Sequence, residues 1–301
     1  MAETLHRSSE ELASLIPTLD KQANKYSRGC CLVVAGSHEY PGAACMAALA
    51  CARSGAGYTR LATPKGAAIA AHAHLLSIPI HECSGSADYF SAAAVDEVID
   101  LVCKSDALVL GPGMGTSAGA ASFLKGLVFR AGADSTHKEA ADTPTVFDAD
   151  ALNILSMDPD ILEGRKSCVN VLTPHEGEAA RLLGRDVEDR KQDALLLAQK
   201  FNAIVVLKGH HSLIACPDGT IAEDTSAGPE LAKAGTGDVL SGIIAAFMAQ
   251  GVEPFDAACL GVHVHALAAK QAISDISALS VLPEDILSEL GACLQKLEKL
   301  N

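Results

Sequence analysis

Short apolar runs recur along this 301-residue chain, and each is closed by a glycine-rich or polar turn that leads into a stretch of helical periodicity. Cys30–Ala35 (CCLVVA) runs into GSHEYPG, Asp106–Leu110 (DALVL) into GPGMG, and Thr145–Phe147 into DAD. Cys168–Leu172 (CVNVL) runs into TPHEGE, and Ile204–Leu207 (IVVL) into KG. Tyr58–Thr63 is a further strand-like run, punctuated by Pro64. Helical patterns cover 42–54, Ala92–Val102 and three closing stretches near 237–250, 255–272 and 284–299. Strands that end in turns and feed helices build βαβ units. The expected fold class is therefore α/β, with a mostly parallel central sheet and helices on both faces. One segment breaks the alternation: Ser212–Cys216, PDGT and the run from Ile221 read as a small β-hairpin. In parallel sheets ligands sit beyond the carboxyl ends of the strands, so the post-strand turns are where chemistry is to be sought.

Length alone suggests about two domains. No stretch is polar enough for an interdomain linker and no internal repeat is visible, so the expectation is one domain over 27–301 behind an N-terminal extension, 1–26. The segment 132–143 (GADSTHKEAADT) reads as a surface loop. Hydrophobic residues make up 49% of the chain but aromatics only 4%, with no Trp, which suits tightly layered helices and buried strands.

The balance of 23 basic against 37 acidic side chains gives a formal charge of −14, which disfavours nucleic acid and acidic membranes as partners. It does not exclude phosphates held by a local nest of N–H groups. None of the ten cysteines is in CxxC spacing and most lie in apolar runs, as expected of buried, reduced thiols. The N-terminus lacks the apolar core of a signal peptide, and no apolar run is long enough to span a membrane, so a cytoplasmic location is expected.

The most informative turn is Gly235-Thr236-Gly237-Asp238. Apolar residues at Val239, Leu240, Ile243, Ile244, Phe247 and Met248 follow at helical spacing. GTGD thus opens a helix, where N–H groups lack intrahelical partners and the dipole favours an anion. Two glycines let a phosphate approach the backbone. Asp238 would repel that anion unless it has a task. One reading is a general base that takes a proton from an attacking hydroxyl; the other is a carboxylate that merely complements the helix dipole.

In this order, GSHEYPGAA (36–44), GPGMG (111–115), DADALNIL (148–155), TPHEGEAARLLG (173–184), LKGHHS (207–212) and AGTGDVLSGIIAAFMAQG resemble the ADP/ATP-dependent NAD(P)H-hydrate dehydratases. The resemblance runs from about Gly29 to the final helix. It implies the three-layer sandwich of the ribokinase-like superfamily. It also implies an activity: ADP or ATP phosphorylates the hydroxyl of hydrated NADH or NADPH (NADHX, NADPHX), and phosphate is eliminated to restore the dinucleotide. Stand-alone bacterial-type members usually use ADP and the eukaryotic relatives ATP.

The resemblance makes Asp238 the base, with the N–H groups around Gly235 and Gly237 stabilising the transferring phosphoryl group. Lys208, Gly209, His210, His211 and Ser212, with Gly237, match the nucleotide-binding positions. Ala43, Gly113 and His175, with Asp238, match substrate-contacting ones. Magnesium is implied as a cofactor held mostly by phosphates, with no protein metal ligand assigned. A homotetramer is implied as well.

Other readings stand beside these. Lys208 alone is equally a solvated strand-end lysine, and His175 an exposed first-turn residue of a helix opened by Pro174 and Glu176. Asp148 and Asp150 either position magnesium-bound water or cap the next helix. His263 and His265, in an apolar helix, read as satisfied packing histidines. The adjacent His210 and His211 are poorly placed to share a metal. Ala234 stands where the family often has Gly, after Lys233. The competing functions are a ribokinase-like kinase for a small vitamin-precursor alcohol, which would share the anion nest and base, and a non-catalytic nucleotide-binding module.

Overall fold

The structure, a computed structural model, describes residues 4–132, 140, 142–165 and 168–301. Its strands are β1 (Thr4–Leu5), β2 (Cys30–Val34), β3 (Tyr58–Pro64), β4 (Ile80–Cys83), β5 (Ala107–Leu110), β6 (Thr145–Phe147), β7 (Asn170–Leu172), β8 (Ile204–Leu207), β9 (Ser212–Ala215) and β10 (Ile221–Asp224). They form one sheet in the order β1-β10-β9-β8-β7-β6-β5-β2-β3-β4. Every pairing is parallel except those of β9 with β8 and with β10. The expected hairpin is thus β9–β10, and it continues the main sheet.

The helices are α1 (Ser9–Ala13), α2 (Pro41–Arg53), α3 (Lys65–His74), α4 (Val95–Val102), α5 (Ala118–Arg130), α6 (Asp150–Met157), α7 (Glu176–Leu183), α8 (Arg190–Phe201), α9 (Thr236–Ala249), α10 (Pro254–Ala272) and α11 (Pro283–Glu298). Side chains alternate across a strand, so an all-apolar strand must be covered twice. Val33, Val109, Val146, Val171 and Val206 face a core built with α1, α2, α9, α10 and α11. Their neighbours Leu32, Val34, Leu108, Leu110, Phe147, Leu172 and Leu207 face a second core built with α4 to α8. This is the expected three-layer arrangement.

The helix α9 is the most deeply set, with all but Gly237 and Asp238 of its fourteen residues buried. Its Gly242 lies against α2 so closely that a Cβ would run into the Ala47 carbonyl oxygen and stand 2.7 Å from the Ala50 Cβ. The scarcity of aromatics follows from such contacts: small residues let backbones approach where large ones would hold them apart.

Three features refine the sequence pattern. The N-terminal segment contributes to the fold, since β1 pairs in parallel with β10 and Leu12 of α1 enters the first core. Cys168 falls outside β7, where its carbonyl accepts from the Asn170 side chain. The guanidinium of Arg165 is buried and donates to the carbonyls of Ala131, Ala140 and Thr143, which ties down both flanks of the expected 132–143 loop. Residues 133–139 and 141 of that loop lie outside the described residues. Among the described residues, no helix is long and apolar enough to cross a membrane.

Candidate active site

The carboxyl ends of β6, β7 and β8 and the start of α9 enclose a cavity of about 710 Å³. Asp148, His175, Glu178, Lys208 and Gly235–Asp238 line its polar part, and Ala227, Leu231, Leu240 and Val262 its apolar part. Each polar residue follows a strand or opens a helix, so the sheet itself delivers them to one place.

Gly235 is the N-cap of α9, at φ +93, and no side chain caps the helix. That left-handed backbone is natural only to glycine. It leaves the first-turn N–H groups facing the cavity without a side-chain acceptor, which is the geometry of an anion site. Gly237 keeps the turn clear beside the ammonium, since a Cβ there would stand 3.1 Å from the Lys208 Nζ.

Below this turn lies a network of charges. Lys208 Nζ donates to Asp148 Oδ1 at 2.9 Å and lies 3.8 Å from Glu178 Oε2. The Ser241 hydroxyl, one turn into α9, donates to the other oxygen of Asp148. Lys208 is therefore a largely buried, paired ammonium and not a solvated strand-end lysine. Burial alone would lower its pKa, but Asp148 and Glu178 outweigh burial and hold it above its ordinary value. Asp238 meets the opposite balance: burial first, then the negative charge of Asp148, push its carboxyl up to about 8, with Lys208 opposing. A carboxyl with that pKa can take up and release its proton near neutral pH.

The residue between Asp148 and Asp150 is strained. Ala149 has φ 51 and ψ −115, a conformation that a Cβ disfavours. Such strain persists where the surroundings over-determine the backbone. Here Asp148 is held by Lys208 and Ser241, while Asp150 accepts the Gly115 N–H at 2.9 Å and the Asn153 amide at 3.1 Å.

His175 takes a double part. It is the N-cap of α7: its Nδ1 accepts from the N–H groups of Gly177 and Glu178, and Glu178 returns a bond to the His175 N–H at 2.8 Å. The helix-opening reading of this residue is seen, yet the ring also borders the cavity. Burial and the Lys208 charge lower its pKa, which favours the neutral ring. With Nδ1 accepting, the neutral ring carries its proton on Nε2.

Gly209, His210 and Ser212 line the cavity with Lys208. His211 is not among the lining residues, and its Nδ1 lies 3.3 Å from Glu223 Oε1. Arg190 braces this stretch, donating to the His211 carbonyl at 2.7 Å and pairing with Glu176 at 2.6 Å. Ala43 and Gly113 also lie outside the cavity lining, but the structure brings them together: a Cβ on Gly113 would stand 2.9 Å from the Ala43 Cβ. Ala43 lies in the first turn of α2, the helix after β2, and Gly113 in the turn after β5, where the strand order reverses. Such a switch point is the usual ligand crevice of an open α/β sheet. It adjoins the cavity, since a Cβ on Gly111 would strike the Asp148 carbonyl oxygen.

Several residues of this site escape a reading of the sequence. Glu178 carries a legible signal, three positions after His175, which is capping-box spacing. Ser241 has none beyond its place one turn after Asp238. The two histidines of α10 part ways. His263 is satisfied as expected, by Asp224, Ser226 and Ser9. His265 instead borders the cavity with an unpartnered Nε2.

A family model described as NAD(P)H-hydrate dehydratase matches residues 31–291. The ADP-dependent (S)-NAD(P)H-hydrate dehydratase of Xanthomonas campestris is 35% identical over 283 residues, covering 92% of this chain and 91% of its own. The bifunctional NAD(P)H-hydrate repair enzyme of Salinibacter ruber is 38% identical over 275 residues, covering 90% of this chain and 49% of its own. The chain thus spans about half the length of the bifunctional relatives it matches. Among solved structures, a ribokinase-like superfamily protein of Enterococcus faecalis superposes with a TM-score of 0.81 at 25% identity, covering 97% of this chain and 95% of that one.

Proposed function

The chain belongs to the NAD(P)H-hydrate dehydratase family, and from that membership we propose that it returns hydrated NADH and NADPH to the intact dinucleotides at the expense of ADP. The observation that carries the proposal is a half-buried carboxyl of raised pKa beside an uncapped helix N-terminus: Asp238 next to Gly235 and Gly237. Hydroxide is a poor leaving group and phosphate a good one. Asp238 takes the proton of the ring hydroxyl as that oxygen attacks the terminal phosphoryl group. Phosphate is then eliminated from the new ester: the C–O bond breaks, the neighbouring ring carbon gives up its proton to solvent as the double bond re-forms, and AMP and phosphate leave when ADP is the donor. The N–H groups of the first turn of α9 stabilise the transferring oxygens. With its pKa raised to about 8, Asp238 is largely protonated at neutral pH as a polyphosphate approaches, which spares that ligand the repulsion of a second anion.

Lys208 to Ser212 with Gly237 form the nucleotide site, and Ala43 and Gly113 at the switch point carry the dinucleotide, with the Nε2–H of His175 donating to it. His211 takes part through its backbone, because its ring is turned to Glu223. Magnesium fits this donor set only as a guest of the phosphates. Each oxygen of Asp148 and of Asp150 already accepts one hydrogen bond, so either carboxylate would hold the ion through a water, and the ion would neutralise phosphate charge. The unit that carries the activity is the single α/β domain, with β1 and α1 of the N-terminal segment built into the sheet and core around 27–301; it acts as a homotetramer in the cytoplasm, which light scattering and cell fractionation respectively check.

The test is recovery of the reduced nicotinamide absorbance from NADHX, with ADP and ATP compared side by side in magnesium. Recovery with ADP is the expected result. No recovery with either donor would overturn the proposal. Asp238→Asn is expected to bind nucleotide as before and to lose turnover by at least ~100-fold, because the base is gone and the nest remains.

A further inference from the structure

We propose that His265 reads the nucleoside part of the bound nucleotide, its Nε2 accepting a hydrogen bond from the adenine amine or a ribose hydroxyl. The inference rests on the reading of the cavity as a nucleotide site and adds to it a residue and the kind of group that residue recognises.

His265 lies mid-way along α10 with 5% of its surface exposed, in the cavity wall beside Val262 and Leu240. Its Nε2 is buried and has no hydrogen-bond partner. A buried polar atom left unmatched costs about 1–3 kcal/mol. His263, two residues earlier in the same helix, stands in contrast, because both of its ring nitrogens are met by protein groups. Neither protein nor bulk water matches the Nε2 of His265, and the cavity it borders is the open volume from which a partner can come.

The chemistry of that partner follows from the ring. The other nitrogen of His265 bonds the Thr236 backbone, an interaction that favours the protonated ring and so has the carbonyl as acceptor. With Nε2 unpartnered, the donor there is Nδ1–H. Burial, and then the charge of Lys208, lower the pKa to about 4, so the ring is neutral at physiological pH. A neutral ring with its proton on Nδ1 can only accept at Nε2. Phosphate oxygens are acceptors too and cannot satisfy it. The donors that a nucleotide carries are the amine of its base and the hydroxyls of its sugar. Because Nδ1 holds the first residue of α9, the same ring joins nucleoside recognition to the helix that presents Asp238.

The experiment is calorimetric binding of ADP, inosine diphosphate, 2′-deoxy-ADP and 3′-deoxy-ADP to the wild-type protein and to His265→Leu and His265→Gln. Leu is expected to weaken ADP binding about 3- to 10-fold, the worth of one hydrogen bond, and to raise the KM for ADP with kcat within about twofold. One of the analogues should bind the wild type more weakly by the same factor and should bind the Leu variant no worse than ADP does; which one it is separates the amine from each hydroxyl. Gln, which can accept, should recover part of the loss. The ranking of the analogues separates the two roles: because the ring also holds Thr236, a merely structural histidine would lower the melting temperature in the Leu variant and leave that ranking unchanged. Wild-type-like ADP affinity in the Leu variant, or the same ranking of analogues in both proteins, would overturn the inference alone. Absence of ADP binding to the wild type would overturn the nucleotide reading and this inference with it.

Discussion

Asp238 owes its chemistry to its neighbours. Its pKa of about 8 is a product of burial and of Asp148, moderated by Lys208. The kcat/KM profile should therefore rise with pH and level off above about 8. Lys208→Met should displace that limb upward as well as weakening nucleotide binding; an unmoved limb would show that the titrating group is another. The raised pKa also bears on stability. The folded protein holds this proton more tightly than the unfolded chain does, so the carboxyl disfavours folding progressively as pH rises from about 4 to about 8. Every tenfold difference in proton affinity between the two states is worth about 1.4 kcal/mol. Asp238→Asn should thus melt higher than wild type at about pH 8.5, and the difference should vanish near pH 4. Ala149 offers a second residue-scale test. Ala149→Gly should relieve the strained backbone and stabilise the protein by about 1 kcal/mol in denaturant titration, net of the entropy that glycine adds to the unfolded chain. It should also lower turnover, because Asp148 and Asp150 would be held less firmly.

The elements show what can be read without coordinates. The strands β2, β5, β6 and β8 are legible because buried parallel strands are apolar at every position, and α9 to α11 because their periodicity is long. By contrast, β4 is an edge strand whose Ile80, His81 and Glu82 are only partly buried or exposed, so its sequence carries no apolar run. The site divides along the same line. Gly235, Gly237, Asp238 and Lys208 are legible because each sits in a post-strand or pre-helix turn. Ser241, Glu178 and His265 matter through what another element brings to them, and spacing along one chain does not record which strand ends are neighbours. The packing of α9 on α2 supplies the element-scale prediction. In Gly242→Val the new side chain would meet the Ala47 carbonyl, which cannot yield without moving a helix. A loss on the order of 3 kcal/mol is expected by chemical denaturation; a near-neutral result would show that the two helices can separate freely.

For the molecule as a whole, charge and ligand are at odds. A formal −14 repels nucleotides at long range, while the α9 N-terminus and Lys208 attract them at short range. Salt shortens the reach of charges from about 30 Å at 0.01 M to about 8 Å at 0.15 M. Stopped-flow association of ADP should accordingly speed up, by about twofold, over that range; a slower rate would mean that the site's own field dominates the approach. The order of the strands has a different consequence, for the chain as it leaves the ribosome. From β5 to β10 each new strand pairs with the one made just before it, so the sheet can grow at one edge during synthesis. The valines of one sheet face must then wait for α9, α10 and α11, which are translated after all ten strands. Until then a wide apolar surface is open to whatever else is in the cell. Nascent chains stalled between residues 224 and 236 should be bound by a holdase chaperone, and chains released past 298 should let it go.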